Sequence, residues 1–209
     1  VPDDITPDDI TPDDITPDDI TPDDITPDDI TPDDITPDDI TPDDKDWTWV
    51  LREVCPECGF DAASVDPTTV GTSVREMVPT WQAVLARPDA AVRRTPGLWS
   101  DLEYACHVRD VFGLFLVRLH LMVTEDAPQF ANWDQDETAI AERYDLQDPA
   151  VVSTELAEAG AALADGFDAV RADQWERTGL RSDGALFTVA TFAQYFLHDP
   201  LHHLHDVGA

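Results

Sequence analysis

From residue 67 onward the apolar residues of this chain recur at three- and four-residue intervals, the period of an amphipathic helix, in four separate runs. The first, Pro67 to Arg87, carries Val70, Val74, Met77, Val78, Trp81, Val84 and Leu85, with a kink expected at Pro79 and a stop at Pro88. The second opens at Ser100-Asp101-Leu102-Glu103, with Ser at the cap and Glu three residues later, the order of a capping box. It runs to Met122 with a core face of Leu102, Cys106, Phe112, Phe115, Leu116 and Leu119. Asp148-Pro149 supplies a cap and a first-turn Pro for the third, whose stripe is Val151, Val152, Leu156, Ala159, Leu163, Phe167 and Val170. The fourth starts near Thr188 and ends in a histidine cluster. No convincing strand separates these runs, so the expected fold is all-α, a four-helix bundle.

The connections differ in length. Thr124 to Asp148 is long and polar and contains Pro128-Gln129-Phe130-Ala131-Asn132-Trp133-Asp134, a segment read equally well as a lid or as a loop packed on the bundle. As the one long crossover, between the second and third helices, it lets the start of the second helix approach the end of the fourth. Gln174 to Arg177 and Ser182-Asp183-Gly184 mark the next loop.

Ahead of the bundle lies an arm, residues 46–66, with Trp47 and Trp49 two apart and then Cys55-Pro56-Glu57-Cys58-Gly59. That turn has the shape of a zinc knuckle, but a structural zinc normally takes four ligands and no second C-x-x-C exists. It therefore offers half a site, and the preferred reading is a tight reduced turn that docks the aromatic arm onto the bundle, with a separate structural zinc or a redox pair as the alternatives. The division expected is thus a tail over 1–45, the aromatic and CxxC arm over 46–66, and the bundle over 67–209.

Residues 1–45 are nine copies of the unit T-P-D-D-I, with Val1 opening the first and Lys45 closing the last. A Pro every fifth residue forbids helix and strand ladder alike, and paired Asp residues repel along the chain, so the tail is expected to be disordered and extended. A pentapeptide-repeat β-helix is excluded, since every coil would bury an Asp and lose a backbone donor to Pro. The tail carries −17 of the formal net charge of −33 and the rest of the chain −16. Such a surface repels phosphate backbones and anionic lipid, which excludes nucleic-acid and membrane-surface partners. Apolar stretches fall short of the ~18 residues a span needs, and the acidic start is unlike a secretory signal. With three cysteines, an odd number, the expectation is a cytoplasmic protein. Lys occurs once against eleven Arg, the bias of a high-GC bacterial genome.

Chemistry concentrates near the end, where four of the six histidines fall within the eight residues His198 to His205. His198 and His202 stand four apart, which stacks two imidazoles one turn apart on one helix face, at chelate spacing. Pro200 between them disfavours helical geometry at Asp199 and leaves the register open. A third ligand is available in His107, which interrupts the apolar second helix, whereas His120 lies near that helix's far end.

Trp99-Ser100-x-x-Glu103-Tyr104-x-x-His107, together with His198-x-x-x-His202-His203, resembles the DinB-like superfamily, which includes the mycothiol-dependent maleylpyruvate isomerases. The resemblance covers residues 68–207 and implies a bundle with an unusual crossover and a divalent metal held by one residue of the second helix and two of the fourth. Carried over, the metal ligands are His107, His198 and His202; the shifted pair Asp199 and His203 is the alternative, because Asp206 lies three beyond His203. The all-histidine set is preferred as three neutral nitrogens on a borderline-soft metal, zinc first, with nickel or iron as alternatives. Three protein ligands leave an open position, at which the family's thiol cofactor, of the mycothiol type, would bind as thiolate. The implied function is a metal-dependent thiol transferase or isomerase, with a small-molecule thiol and an electrophile as partners and a homodimer as an admissible assembly. Arg109 and Arg118 are candidates to meet a substrate carboxylate. The reading of another class is a non-catalytic metal-binding or stress-response bundle.

Overall fold

Three of the four long helices begin where the sequence supplies a partner for the orphan N–H groups of the first turn. In the computed structural model, which describes residues 40–41 and 46–209, these helices are α1 (Val70–Leu85), α2 (Asp101–Thr124), α4 (Pro149–Asp168) and α5 (Val189–Asp206), with a short α3 (Gln135–Ala141). The disordered tail expected over 1–45 falls, apart from Ile40 and Thr41, outside the described residues. Ser100 and Glu103 form the reciprocal capping box of α2, Asp148 caps α4 with Pro149 in its first turn, and the Thr188 hydroxyl accepts from the Thr191 N–H at 3.1 Å to start α5. Pro79 and Pro200 lie inside α1 and α5, yet both helices run through them. Each Pro forfeits one intrahelical bond, a loss that the buried stripes of the two helices outweigh.

The first two long helices, α1 and α2, are not close neighbours. Helix α4 packs between α1 and α2, and α5 lies against both on the other side. Gly160 of α4 shows how tightly: a Cβ there would stand 2.9 Å from Cγ2 of Val78 on α1 and 3.1 Å from Cε2 of Phe112 on α2. Between the helices Trp81, Phe112, Phe167, Phe192 and Phe196 are buried, with Phe115 and Phe192 stacked at 4.6 Å. Burial of rings this size dominates the stability of such a core.

The expectation of no strand is corrected. The connections hold a small sheet of β1 (Gln129–Phe130), β2 (Thr178–Arg181) and β3 (Leu186–Thr188) in the order β1-β2-β3, β1 parallel to β2 and β2 antiparallel to β3. Ser182-Asp183-Gly184 is the hairpin turn, in which Gly184 takes φ +97°, left-handed backbone that suits glycine. Strands of two to four residues carry too little alternation to register as a period-2 pattern.

One guanidinium ties together the helix ends that matter for function. Arg87 Nη1, just beyond α1, donates to Asp101 Oδ2 at the start of α2 (2.9 Å) and to the Val207 carbonyl at the end of α5 (2.7 Å). Asp101 is buried and also receives Arg94 at 2.9 Å, so the start of α2 and the end of α5 are held by charge-assisted bonds. The arm runs along α5 as two 3-10 turns, Trp47–Leu51 and Ala62–Ser64, and Gln194 of α5 donates to the Val65 carbonyl at 3.0 Å.

Candidate metal centre

Successive residues of a helix are rotated by about 100°, so the two four-apart pairs of α5, His198/His202 and Asp199/His203, face different directions. The pair Asp199/His203 meets α2. Donor atoms of His107, Asp199 and His203 lie within 4.8 Å of one another, His107 being fully buried. His107 Nε2 is 3.3 Å from Oδ1 and 3.4 Å from Oδ2 of Asp199. That is longer than the ~2.8 Å of a charge-assisted bond, and Asp199 Oδ1 is a buried oxygen without a hydrogen bond. Burial works to raise the Asp199 carboxyl, but the imidazoles of His107, His203 and His198 outweigh it and hold the group at about 2, ionised. His203 Nδ1 is 2.8 Å from Asp206 Oδ2; with its N–H given to that carboxylate, Nε2 is the lone pair the ring can offer. Two nitrogens and a carboxylate oxygen, with an orphaned oxygen among them, fit a divalent cation.

Aromatic residues enclose this group. Trp133 stacks on His107 at 5.4 Å and 11°, Trp99 tilts against it at 5.3 Å, and Tyr104 lies 5.0 Å from His203. The segment containing Trp133 therefore covers the donor group from the long connection. Asp199 and His203 open with Trp99 and Tyr104 onto a cavity of about 610 Å³, within the range of small-molecule pockets.

The sequence-based grouping of His107 with His198 and His202 is not the one the structure brings together. His107 meets the alternative pair, Asp199 and His203, while His198 and His202 turn toward the arm, where they gather with Cys55 and Cys58, again within 4.8 Å. Cys55 Sγ is 3.7 Å from His202 Nδ1, and His202 Nε2 is 3.3 Å from Glu57 Oε2. Burial, reinforced by the neighbouring His202, pushes the His198 imidazolium down to about 4, so this ring is neutral at pH 7; burial also lowers His202. His120 and His205 are exposed.

Arg109 and Arg118 are engaged elsewhere and do not line the cavity. Arg109 binds Asp110, Gln147 and Glu155, while Arg118 donates to the Ala131 carbonyl and sits 5.1 Å over the Phe130 ring. Trp133, in the segment read as a lid or a packed loop, stacks on His107. Sequence reasoning missed the pairing of the Cys turn with α5, which was visible only as two half-sites with complementary donors.

No curated protein sequence matches the chain. Among solved structures it is similar to one from Bacillus subtilis, described as "YfiT from Bacillus subtilis is a probable metal-dependent hydrolase with an unusual four-helix bundle topology", at a TM-score of 0.57 and 19% identity, over 66% of this chain and 82% of that one. At that identity the likeness establishes the bundle fold. The DinB superfamily model matches residues 80–207, more than half the chain and the span that carries His107, Asp199 and His203, and on that match the chain belongs to the DinB superfamily.

Proposed function

We propose that His107, Asp199 and His203 hold a divalent metal, zinc first, and that the protein is a metal-dependent enzyme that activates a low-molecular-weight thiol for transfer to, or isomerisation of, a small electrophile. The observation that carries this reading is the convergence of three donors from α2 and α5, two of them on the wall of a cavity large enough for a thiol and a substrate. Three donors suit a catalytic site, which keeps a position open, where a structural site uses four. A divalent cation there would supply the charge that lowers the pKa of a bound thiol into the neutral range.

The protein's own groups do the remaining work. Asp199 stays ionised beside His107 and supplies the one carboxylate of the donor set. Asp206 fixes the tautomer and orientation of His203. Trp99, Tyr104 and Trp133 shield the rings of His107 and His203 from one side, which strengthens the electrostatic interactions there, while Asp199 faces the cavity. The acidic surface is consistent with small-molecule partners in a cytoplasmic setting, and among the described residues no helix is long and apolar enough to cross a membrane.

A second reading, hydrolysis with water in place of the thiol, is favoured by the description of the YfiT structure. One assay separates the two. Metal-loaded protein is given a panel of thiols, mycothiol among them, with electrophiles, and in parallel a panel of activated esters and amides without thiol. Thiol consumption that disappears on chelation and in His203→Ala is expected. Metal-dependent ester or amide cleavage without thiol consumption would replace transfer by hydrolysis, and silence in both panels at full metal loading would leave a non-catalytic metal-binding bundle.

A further inference from the structure

We propose that Cys55, Cys58, His198 and His202 form a closed, four-coordinate structural zinc site that clamps the N-terminal arm to α5.

The four donors come from two segments that each present a chelating pair. In the turn, the Cys55 N–H donates to the Phe60 carbonyl at 2.8 Å and the Gly59 N–H to the Cys55 carbonyl at 2.9 Å, with Gly59 at φ +76°. This folds the two thiols toward the same side, and neither is in a disulfide. On α5 the four-residue spacing stacks the two imidazoles, whose rings are 4.9 Å apart. C-x2-C with H-x3-H is the donor pattern of structural zinc, with two soft sulfurs and two nitrogens in a set that a tetrahedron satisfies.

Three further observations point to an ion in that space. His198 Nε2 is buried with no hydrogen bond, an unfavourable arrangement that a bound ion would relieve. His202 places Nδ1 toward the Cys55 sulfur and Nε2 against Glu57, which is the carboxylate–histidine–metal arrangement that fixes a ligand tautomer. Trp47 covers the pair, its ring 5.2 Å from His198 and 5.0 Å from His202, and Phe60 lies edge-on to His198 at 5.3 Å. Two thiolates on a dication with two neutral imidazoles make an uncharged unit, which can be buried under such a cover without the penalty of an isolated ion. A redox or nucleophilic role for the pair fits less well, because Cys55 is only 1% exposed, although Cys58 is only partly covered.

Cobalt substitution of the full chain tests this directly. Cobalt-loaded wild type should show sulfur-to-cobalt charge-transfer absorption and the intense visible bands of a tetrahedral site. His203→Ala should keep them. Cys55→Ser and Cys58→Ser should each lose the charge-transfer band, and elemental analysis of the zinc protein should fall by one equivalent per chain, while the equivalent held at His107, Asp199 and His203 stays. Because the wild-type spectrum needs no variant, misfolding of the Cys variants does not blunt the test. Absence of sulfur charge transfer from fully loaded wild type would overturn the proposal, as would zinc content unchanged by the two substitutions. Loss of both equivalents in His203→Ala with the Cys variants unaffected would do the same.

Discussion

One helix serves two donor groups that differ in almost every respect. Toward the arm, His198 and His202 meet two cysteines in a set of four covered by Trp47. Toward α2, Asp199 and His203 meet only His107; Asp199 and His203 line the cavity, as do His198 and His202, so the two groups differ in the number and softness of their donors. A full set with soft donors suits a metal that does no chemistry, and an incomplete one suits a metal that does. A one-residue step along α5 is enough to separate the two, since it turns the donors by about 100°. On our proposals the closed group also serves the open one, because a clamp at His198 and His202 fixes the rotation of the helix that aims Asp199 and His203.

Removal of the closed group's metal is expected to have the largest effect. A metal bound only by the native state adds RT ln(1 + [L]/Kd), about 4 kcal/mol at a thousandfold excess over Kd. Denaturant unfolding of Cys55→Ser should therefore show a loss of about that size in the presence of zinc, and wild type should lose as much on strong chelation. Equal stability of wild type with and without chelator would erase the distinction between the two groups.

The next contrast crosses the helix. His203→Ala should abolish metal-dependent turnover while keeping the cobalt spectrum of the sulfur site. His202→Ala should lose that spectrum and much of the stability, and any activity left should retain its dependence on His107. If His202→Ala and His203→Ala gave the same defects in both readouts, the two pairs would belong to one site. The outer carboxylates sharpen the comparison further. Asp206→Asn is expected to weaken metal at the open group by about 10- to 100-fold, the usual cost of losing a ligand's hydrogen-bond partner, and to touch the closed group less, since Asp206 Oδ1 is 3.7 Å from His202 Nε2 against 2.8 Å from Oδ2 to His203 Nδ1. Glu57→Gln should cost the closed group at most about tenfold, because Glu57 is 53% exposed and its interaction is screened by solvent. Competition titrations against a metal indicator read both.

How much of this the sequence disclosed depends on the range of the signal. The four long helices were legible because each carries several turns of apolar periodicity between a cap and a breaker, and the capping box at Ser100/Glu103 formed as the spacing required. The three short strands were not, since the sheet joins the α2–α4 and α4–α5 connections through residues about 50 positions apart that no local pattern relates. At the candidate site the residue types were legible and their partition was not. The spacing of four fits 198/202 and 199/203 equally, and the choice between them rests on which side of α5 faces α2. Nor could counting cysteines along the chain complete the turn at Cys55 and Cys58, because the other half of its donor set lies some 140 residues away.

The smallest effect is expected at His205, and it bears on whether the cluster is an assembly of two sites or a loose patch of imidazoles. His205 is exposed and 6.5 Å from His202 between ring centroids; seven residues past His198, it lies on the same face of α5 as His198 and His202, yet it is not among the donors that gather with Cys55 and Cys58. In a patch that binds metal through histidine density alone, each ring would contribute comparably and removal of any one would weaken binding by a similar factor. Two separate donor sets, neither of which includes His205, instead assign it no metal, so His205→Ala should leave metal content, the cobalt spectrum and turnover at wild-type values and shift stability by less than ~0.5 kcal/mol, as for an ordinary surface position. A fall in metal stoichiometry in this variant would mean that the donors are shared around the helix end, and the contrast between a closed and an open group would then fail.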